Sequence, residues 1–213
     1  MLGRTPWLRG AGGVIVAASL AESWFHVKPM RVPGGTKEEL GMTEPAIHPD
    51  VRIGHAHLKV ADLERAIAFY RYVLGFELME RFGNQAAFLS AGGYHHHIGL
   101  NTWESRGGTP PPSGHTGLYH IAILYPNRRE LARALKRLFD HGVPITGASD
   151  HGVSEAIYLN DVDGNGLELY ADRPREEWPI QNGQLRMFSR PLDLAGLLDE
   201  LDRGPVPAPP AGV

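Results

Sequence analysis

The sequence contains no cysteine, which removes disulfides, thiolate metal sites and cysteine nucleophiles from consideration. Any metal would have to be held by His, Asp or Glu. An excess of either charge is also missing: 21 Lys and Arg stand against 24 Asp and Glu, for a net charge of −3 and a pI near 6.4. No basic run forms a stripe, so the electrostatic footprint of a nucleic-acid binder is absent, and a small, roughly neutral partner is expected instead. Long apolar runs are lacking as well. The stretch from Gly13 to Ala21, preceded by Arg4 and Arg9, has the outline of a secretory signal, yet it is rich in Gly and Ala and far shorter than the roughly 20 apolar residues a bilayer span requires. No membrane partner and a cytoplasmic location are the expectation.

What is present is an ordinary globular composition, with 42% apolar and 21% charged residues over 213 positions, enough for one domain with tails at roughly 150 residues per domain. Residues 1–49 read as an N-terminal extension without strong periodicity, expected to be disordered, and Met42 is a candidate for the true start. Residues 181–213 form a C-terminal segment ending in a Pro-rich tail from Gly204, with little means of packing. The working domain is 50–180.

Inside it the chain nearly repeats itself. Residues 51–60 alternate as a strand; Asp62 then caps a helix whose apolar positions Leu63, Ala66, Ile67, Tyr70, Val73 and Leu74 share one face, stopped at Gly75. Three strands follow, near 76–82, 85–91 and 94–101, separated by Gly83-Asn84 and Gly92-Gly93, which are hairpin signals. After a Gly/Pro loop at 107–114 the order recurs: a strand at 117–125, a helix from Asn127 with Glu130 at the capping-box position to Gly142, then strands near 143–148, 153–160 and 166–171. The predicted fold is α+β: two paired βαβββ modules, 51–106 and 116–175, whose curved mixed sheets face each other around a shared cavity.

The repeat also aligns histidines, of which the chain has 11. His55 in the first strand of one module matches His120 in the first strand of the other. Glu168 lies between apolar residues in the last strand, where a buried carboxylate is costly unless a metal or a partner neutralises it. Two imidazoles and one carboxylate from separate strands form a 2-His-1-carboxylate set, which leaves open positions on a six-coordinate metal and suits non-haem Fe(II) oxygen chemistry. His57 shares the strand face of His55 and is its rival as ligand; the repeat favours His55.

The segments Ile53 to Phe76, Gly117 to Ile123 and Ile157 to Tyr170 resemble the vicinal oxygen chelate superfamily, the glyoxalase, bleomycin-resistance and dioxygenase fold, and within it the extradiol ring-cleaving catechol 2,3-dioxygenases. The resemblance implies a divalent metal at His55, His120 and Glu168: Fe(II), with Mn, Ni or Zn as alternatives. It further implies that His96, in the run Tyr94 to Leu100, is the acid/base histidine. Strand alternation would turn inward either His96 alone or His95 together with His97. Tyr158 and His151 match active-site residues that would hydrogen-bond the bound oxygens. The glyoxalases' fourth ligand, a Glu from about the position of this run, has no counterpart here. The expected activity is extradiol dioxygenation of a small aromatic substrate with O2, the chain being a candidate homo-oligomer because members of the family often pair. Two other readings are a glyoxalase-like isomerase or thiol transferase on the same scaffold, and a metal-free small-molecule-binding resistance protein. The loop 102–116 and the segment carrying Trp178, Met187 and Phe188 are candidate lids.

Overall fold

A computed structural model describes residues 47–203; the N-terminal extension up to residue 46, with Met42, and the tail from Gly204 lie outside the described residues. The described residues from Arg52 to Arg203 belong to one compact unit. Its first module runs β1 (Ala56–Lys59), α1 (Leu63–Ala68), a π-helical turn (Phe69–Val73), β2 (Glu77–Phe82), β3 (Ala86–Ser90) and β4 (Ile98–Asn101). The second runs β5 (Ile121–Tyr125), α2 (Arg128–Asp140), β6 (Ile145–Asp150), β7 (Ser154–Asn160) and β8 (Gly166–Asp172). Each sheet has the order first, fourth, third, second strand: β1-β4-β3-β2 and β5-β8-β7-β6, the latter extended by a short β11 (Arg190–Pro191). In both, the first strand is parallel to the fourth and the rest are antiparallel. The internal repeat is therefore structural, and the α+β class is as expected.

Local chemistry sets the element ends. Asp62 accepts from the Arg65 N–H at 3.0 Å, and Asn127 accepts from the Glu130 N–H at 3.0 Å, each satisfying one orphan donor of a first helical turn. Gly142, at φ 64°, terminates α2 in the left-handed conformation that costs other residues most. Along α2, Leu131, Ala132, Leu135 and Leu138 are all fully buried, a stripe at helical spacing that seats the helix on its sheet.

The first helix departs from the single α-helix its periodicity predicts. From Phe69 it widens into a π turn, and the change of register buries the adjacent side chains Phe69 and Tyr70 together. The Tyr70 hydroxyl thereby reaches Asp161 Oδ2 at 3.0 Å, in the turn between β7 and β8. That turn is built around Asp161, which also accepts from the backbone N–H groups of Asp163 and Asn165. Asp163 in turn accepts from the Ala61 N–H at 3.2 Å and Arg65 Nη2 at 2.7 Å. Two aspartates from the second module thus fasten the helix of the first, Asp163 at its start and Asp161 at its π-turn end.

The segment after β8 is more than a tail. A helix α3 (Leu194–Leu198), capped by Asp193, buries Leu197 completely. Arg128 of α2 holds it by donating to the Gly196 carbonyl at 3.0 Å while also pairing with Glu155 and Glu200. β9 (Ile180–Gln181) and β10 (Gln184–Leu185) pair with each other as a separate hairpin, and β11 then pairs antiparallel with β6.

Candidate active site

The two candidate ligands from the repeat occupy equivalent places: His55 immediately precedes β1 and His120 immediately precedes β5. The parallel registers extend the equivalence. Ala122 lies opposite Glu168 across β5 and β8, and its counterpart His57 lies opposite Gly99 across β1 and β4. Gly99 therefore holds, in the first module, the position that Glu168 holds in the second. A side chain there would find no room, because a Cβ on Gly99 would come within 2.9 Å of the His57 ring. At this register position the first module has a glycine with an imidazole lying over it.

In the second module His120 Nε2 stands 2.9 Å from Glu168 Oε2, the carboxylate being mostly buried. With metal–donor bonds of about 2.1 Å, two donors at a right angle on one ion are about 3.0 Å apart, so this pair fits adjacent positions on a divalent cation. The other nitrogen, His120 Nδ1, is buried without a hydrogen-bond partner. The second carboxylate oxygen, Glu168 Oε1, is 3.1 Å from the Tyr158 hydroxyl, which is also 2.8 Å from His151 Nε2. His151 Nδ1 is 3.2 Å from the Phe188 carbonyl. A carbonyl only accepts, so the proton of that contact is on His151 Nδ1. The Tyr158 hydroxyl donates to Glu168 Oε1 and lies within hydrogen-bond distance of His151 Nε2. Burial, reinforced by the neighbouring Glu168 charge, pushes the Tyr158 phenol up to about 12.

The first module gathers imidazoles. The His55 and His96 rings are 4.4 Å apart between centroids, His96 packs on Phe88 at 5.0 Å, and the Nδ1 atoms of His95 and His96 are 2.8 Å apart. Desolvation, then the neighbouring His55 and His95, lower the pKa of His96; burial and His55 lower that of His57. The predicted strand 94–101 begins only at Ile98. The run Tyr94 to His97 is irregular, so strand alternation does not govern it: His95 and His96 meet each other, while His97 Nδ1 lies 3.0 Å from Ser90 Oγ. His57, an exposed residue, has its ring against Phe88 and Trp103.

The structure thus brings His120, Glu168, Tyr158 and His151 into one network and His55 with His96 into another. Among the described residues no group of three or more His, Asp or Glu side chains is arranged to hold a single ion. Two participants escaped the sequence: Gly99, which the aligned repeat could have revealed, and the Phe188 carbonyl, for which no sequence signal exists. A separate cavity of about 320 Å³ lies between the β6–β7 turn and the returning segment, lined by Asp150, Arg173, Phe188 and Arg190 among others. Its charges are matched internally, Arg173 pairing with both Asp150 and Glu155. No described helix is long and apolar enough to cross a membrane.

The fold is a pair of βαβββ modules, with an imidazole directly before each first strand and a carboxylate on the last strand of the second. Residues 52–169 match the family described as Glyoxalase/Bleomycin resistance protein/Dioxygenase superfamily, and the chain belongs to it. It is 46% identical over 156 residues to catechol-2,3-dioxygenase of Bacillus subtilis (strain 168), the match covering 73% of this chain and 54% of that protein. It is 30% identical over 138 residues to biphenyl-2,3-diol 1,2-dioxygenase 3 of Rhodococcus globerulus, covering 62% of this chain and 71% of that one. The chain spans about half the length of the Bacillus relative. Among solved structures, a glyoxalase/dioxygenase from Nostoc punctiforme superposes with a TM-score of 0.51 at 18% identity, over 62% of this chain and 100% of that chain, a likeness of fold.

Proposed function

We propose that the chain is an Fe(II)-dependent extradiol dioxygenase acting on a small catechol-type aromatic with O2. The observation that carries this reading is the His120–Glu168 pair at ligand spacing, with the Tyr158–His151 relay on the carboxylate's other oxygen. The names of the Bacillus and Rhodococcus relatives point the same way. His55, His120 and Glu168 would be the metal ligands. When bound, Fe(II) supplies open coordination positions for a catechol and O2 and an electronic route between them.

The chain's own residues do the rest. Tyr158 orients the Glu168 carboxylate and, with its elevated pKa, remains a hydroxyl donor throughout the neutral range. His151, within hydrogen-bond distance of the same hydroxyl, holds it in place. His96, with its pKa lowered by desolvation and like-charged neighbours, is neutral at pH 7 and ready to accept a catechol proton and return it later. Gly99, covered by the His57 ring, offers no carboxylate at the register position that Glu168 holds in the second module, which favours a chelating substrate over a glyoxalase-like ligand set.

Anaerobic metal analysis followed by an aerobic assay on a panel of catechols tests the reading, the yellow ring-opened product being the signal. His96→Ala should keep its iron and lose most turnover, by roughly 10²- to 10⁴-fold, whereas Glu168→Ala should lose iron. Wild-type protein that carries Mn, Ni or Zn in place of iron, or iron-loaded protein that gives no colour, refutes it.

A further inference from the structure

We propose that Arg190 is a positioning residue for His151, acting through the ring of Phe188, so that the segment following β10 fixes an imidazole of the candidate active site. The inference rests on the reading above, in which His151 holds the Tyr158 hydroxyl beside Glu168, and concerns what holds His151 itself.

His151 lies in the turn between β6 and β7. Inside its own module the turn is closed by backbone contacts: the His151 N–H donates to the Ser154 carbonyl at 2.9 Å, and the Gly152 N–H donates to Asp150 Oδ1 at 2.8 Å. Neither orients the imidazole. The contact that meets Nδ1 comes from 37 residues further on, the Phe188 carbonyl at 3.2 Å. The Phe188 N–H donates back to the His151 carbonyl at 3.4 Å. The two residues therefore hold each other through ring and backbone alike.

Phe188 in turn is fixed by its side chain. Its ring lies on Gly152, where a Cβ would come within 2.6 Å of it, and the Arg190 guanidinium carbon stands over the ring, 4.1 Å from its centroid. β11 brings Arg190 there by pairing with β6, Arg190 opposite Asp150 and Pro191 opposite Ser149. The ion pair of Arg190 is the lesser part of its work. It is 3.5 Å from Asp150 Oδ2 with a side chain 65% exposed, and Arg173 already approaches the same oxygen at 3.2 Å. An exposed pair of this kind contributes little, and Asp150 keeps Arg173 when Arg190 is removed. What Arg190 adds is a cation on the face of Phe188. The path to the site is then continuous: guanidinium, Phe188 ring, Phe188 carbonyl, His151, and from His151 Nε2 to the Tyr158 hydroxyl at 2.8 Å.

The test is a double-mutant cycle on the full-length chain, with Arg190→Ala, Phe188→Ala and the two combined, and Arg190→Lys as the conservative variant. Hydrogen exchange of the residue 188 amide measures opening of the contact with His151. Nitrogen NMR of the His151 ring reports which nitrogen carries the proton, and turnover of a catechol is compared at equal iron content. A surface cation–π contact shifts an equilibrium by about two- to fivefold. Arg190→Ala should therefore speed exchange at residue 188 by about that factor, leave the β7 and β8 amides unchanged, and lower kcat by about the same factor. Phe188→Ala should change exchange and kcat by about tenfold or more, and its His151 should leave the Nδ1–H tautomer. Because Arg190 acts through the ring, the combined variant should match Phe188→Ala within about twofold, and Arg190→Lys, which keeps a cation, should stay within about twofold of wild type. Additive losses in the combined variant, wild-type exchange at residue 188 in Arg190→Ala, or an Nε2–H tautomer in the wild type overturns the proposal, and the last two hold even if Phe188→Ala does not fold. Changes in exchange and tautomer as described, with no catechol cleaved by any form including wild type, leave the positioning of His151 standing and remove the ring-cleavage reading. Cleavage at wild-type kcat throughout the cycle keeps that reading and removes the role of Arg190.

Discussion

Replacing Tyr70 by Phe removes one oxygen from the contact that ties the two modules together. The ring is fully buried, and its packing near Phe69 and Phe76 survives the change. What is lost is the hydrogen bond to Asp161 Oδ2 at 3.0 Å. Asp161 is itself buried and keeps its donors from Asp163 and Asn165, so the carboxylate is left under-satisfied but not abandoned. A hydrogen bond to a charged acceptor contributes about 1.5–3 kcal/mol; a loss of about 2 kcal/mol lowers Tm by about 4 to 8 °C for a domain of this size. The effect also has a pH signature. Burial, followed by the Asp161 charge and its hydrogen bond, raises the Tyr70 pKa well above 10 in the folded state, so the folded chain holds this proton more tightly than the unfolded one. That stabilisation is complete below the unfolded pKa of about 10 and declines as the pH rises toward the folded value. Urea denaturation of wild type and Tyr70→Phe at pH 8 and pH 10.8 should show the difference between them shrinking at the higher pH. A Phe variant as stable as wild type, or a difference that does not change with pH, refutes the role given to this contact.

Gly152→Ala tests the anchoring of His151. A Cβ there would meet the Phe188 ring at 2.6 Å, at a residue whose φ of 77° already disfavours a side chain. Displacing Phe188 moves the carbonyl that faces His151 Nδ1. Iron content should stay at the wild-type level while turnover drops, roughly 10- to 100-fold by analogy with other outer-shell changes; unchanged kcat refutes the coupling. Leu197→Ala opens a cavity between α3 and α2, because the side chain is completely buried. Chemical denaturation should show a loss of about 2–5 kcal/mol. A loss below 1 kcal/mol would mean that α3 contributes little to the domain.

The extent to which this protein can be read from its sequence differs between elements. The Asp62 and Asn127 caps, the buried stripe of α2 and the Gly83-Asn84 hairpin are local, since they depend on residues three or four apart, and they fall where the pattern predicts. The equivalence of His55 and His120 is legible for a related reason: a repeat preserves position, and both residues sit one step before a first strand. The run Tyr94 to His97 was not legible. Its residues carry strand propensity, but β4 pairs only from Ile98, so the alternation that would have sorted the histidines never applies.

The amino-acid order thus determined the modules, their strand order and the kinds of donor each contributes, because hydrophobic period and turn chemistry act over short distances. Only the tertiary structure decided which donors meet. The π turn that carries Tyr70 to Asp161, the approach of His120 to Glu168 and the Phe188 carbonyl facing His151 each join residues 37 to 91 positions apart. Such meetings are set by how packed elements settle against one another, and no local pattern in the chain encodes them.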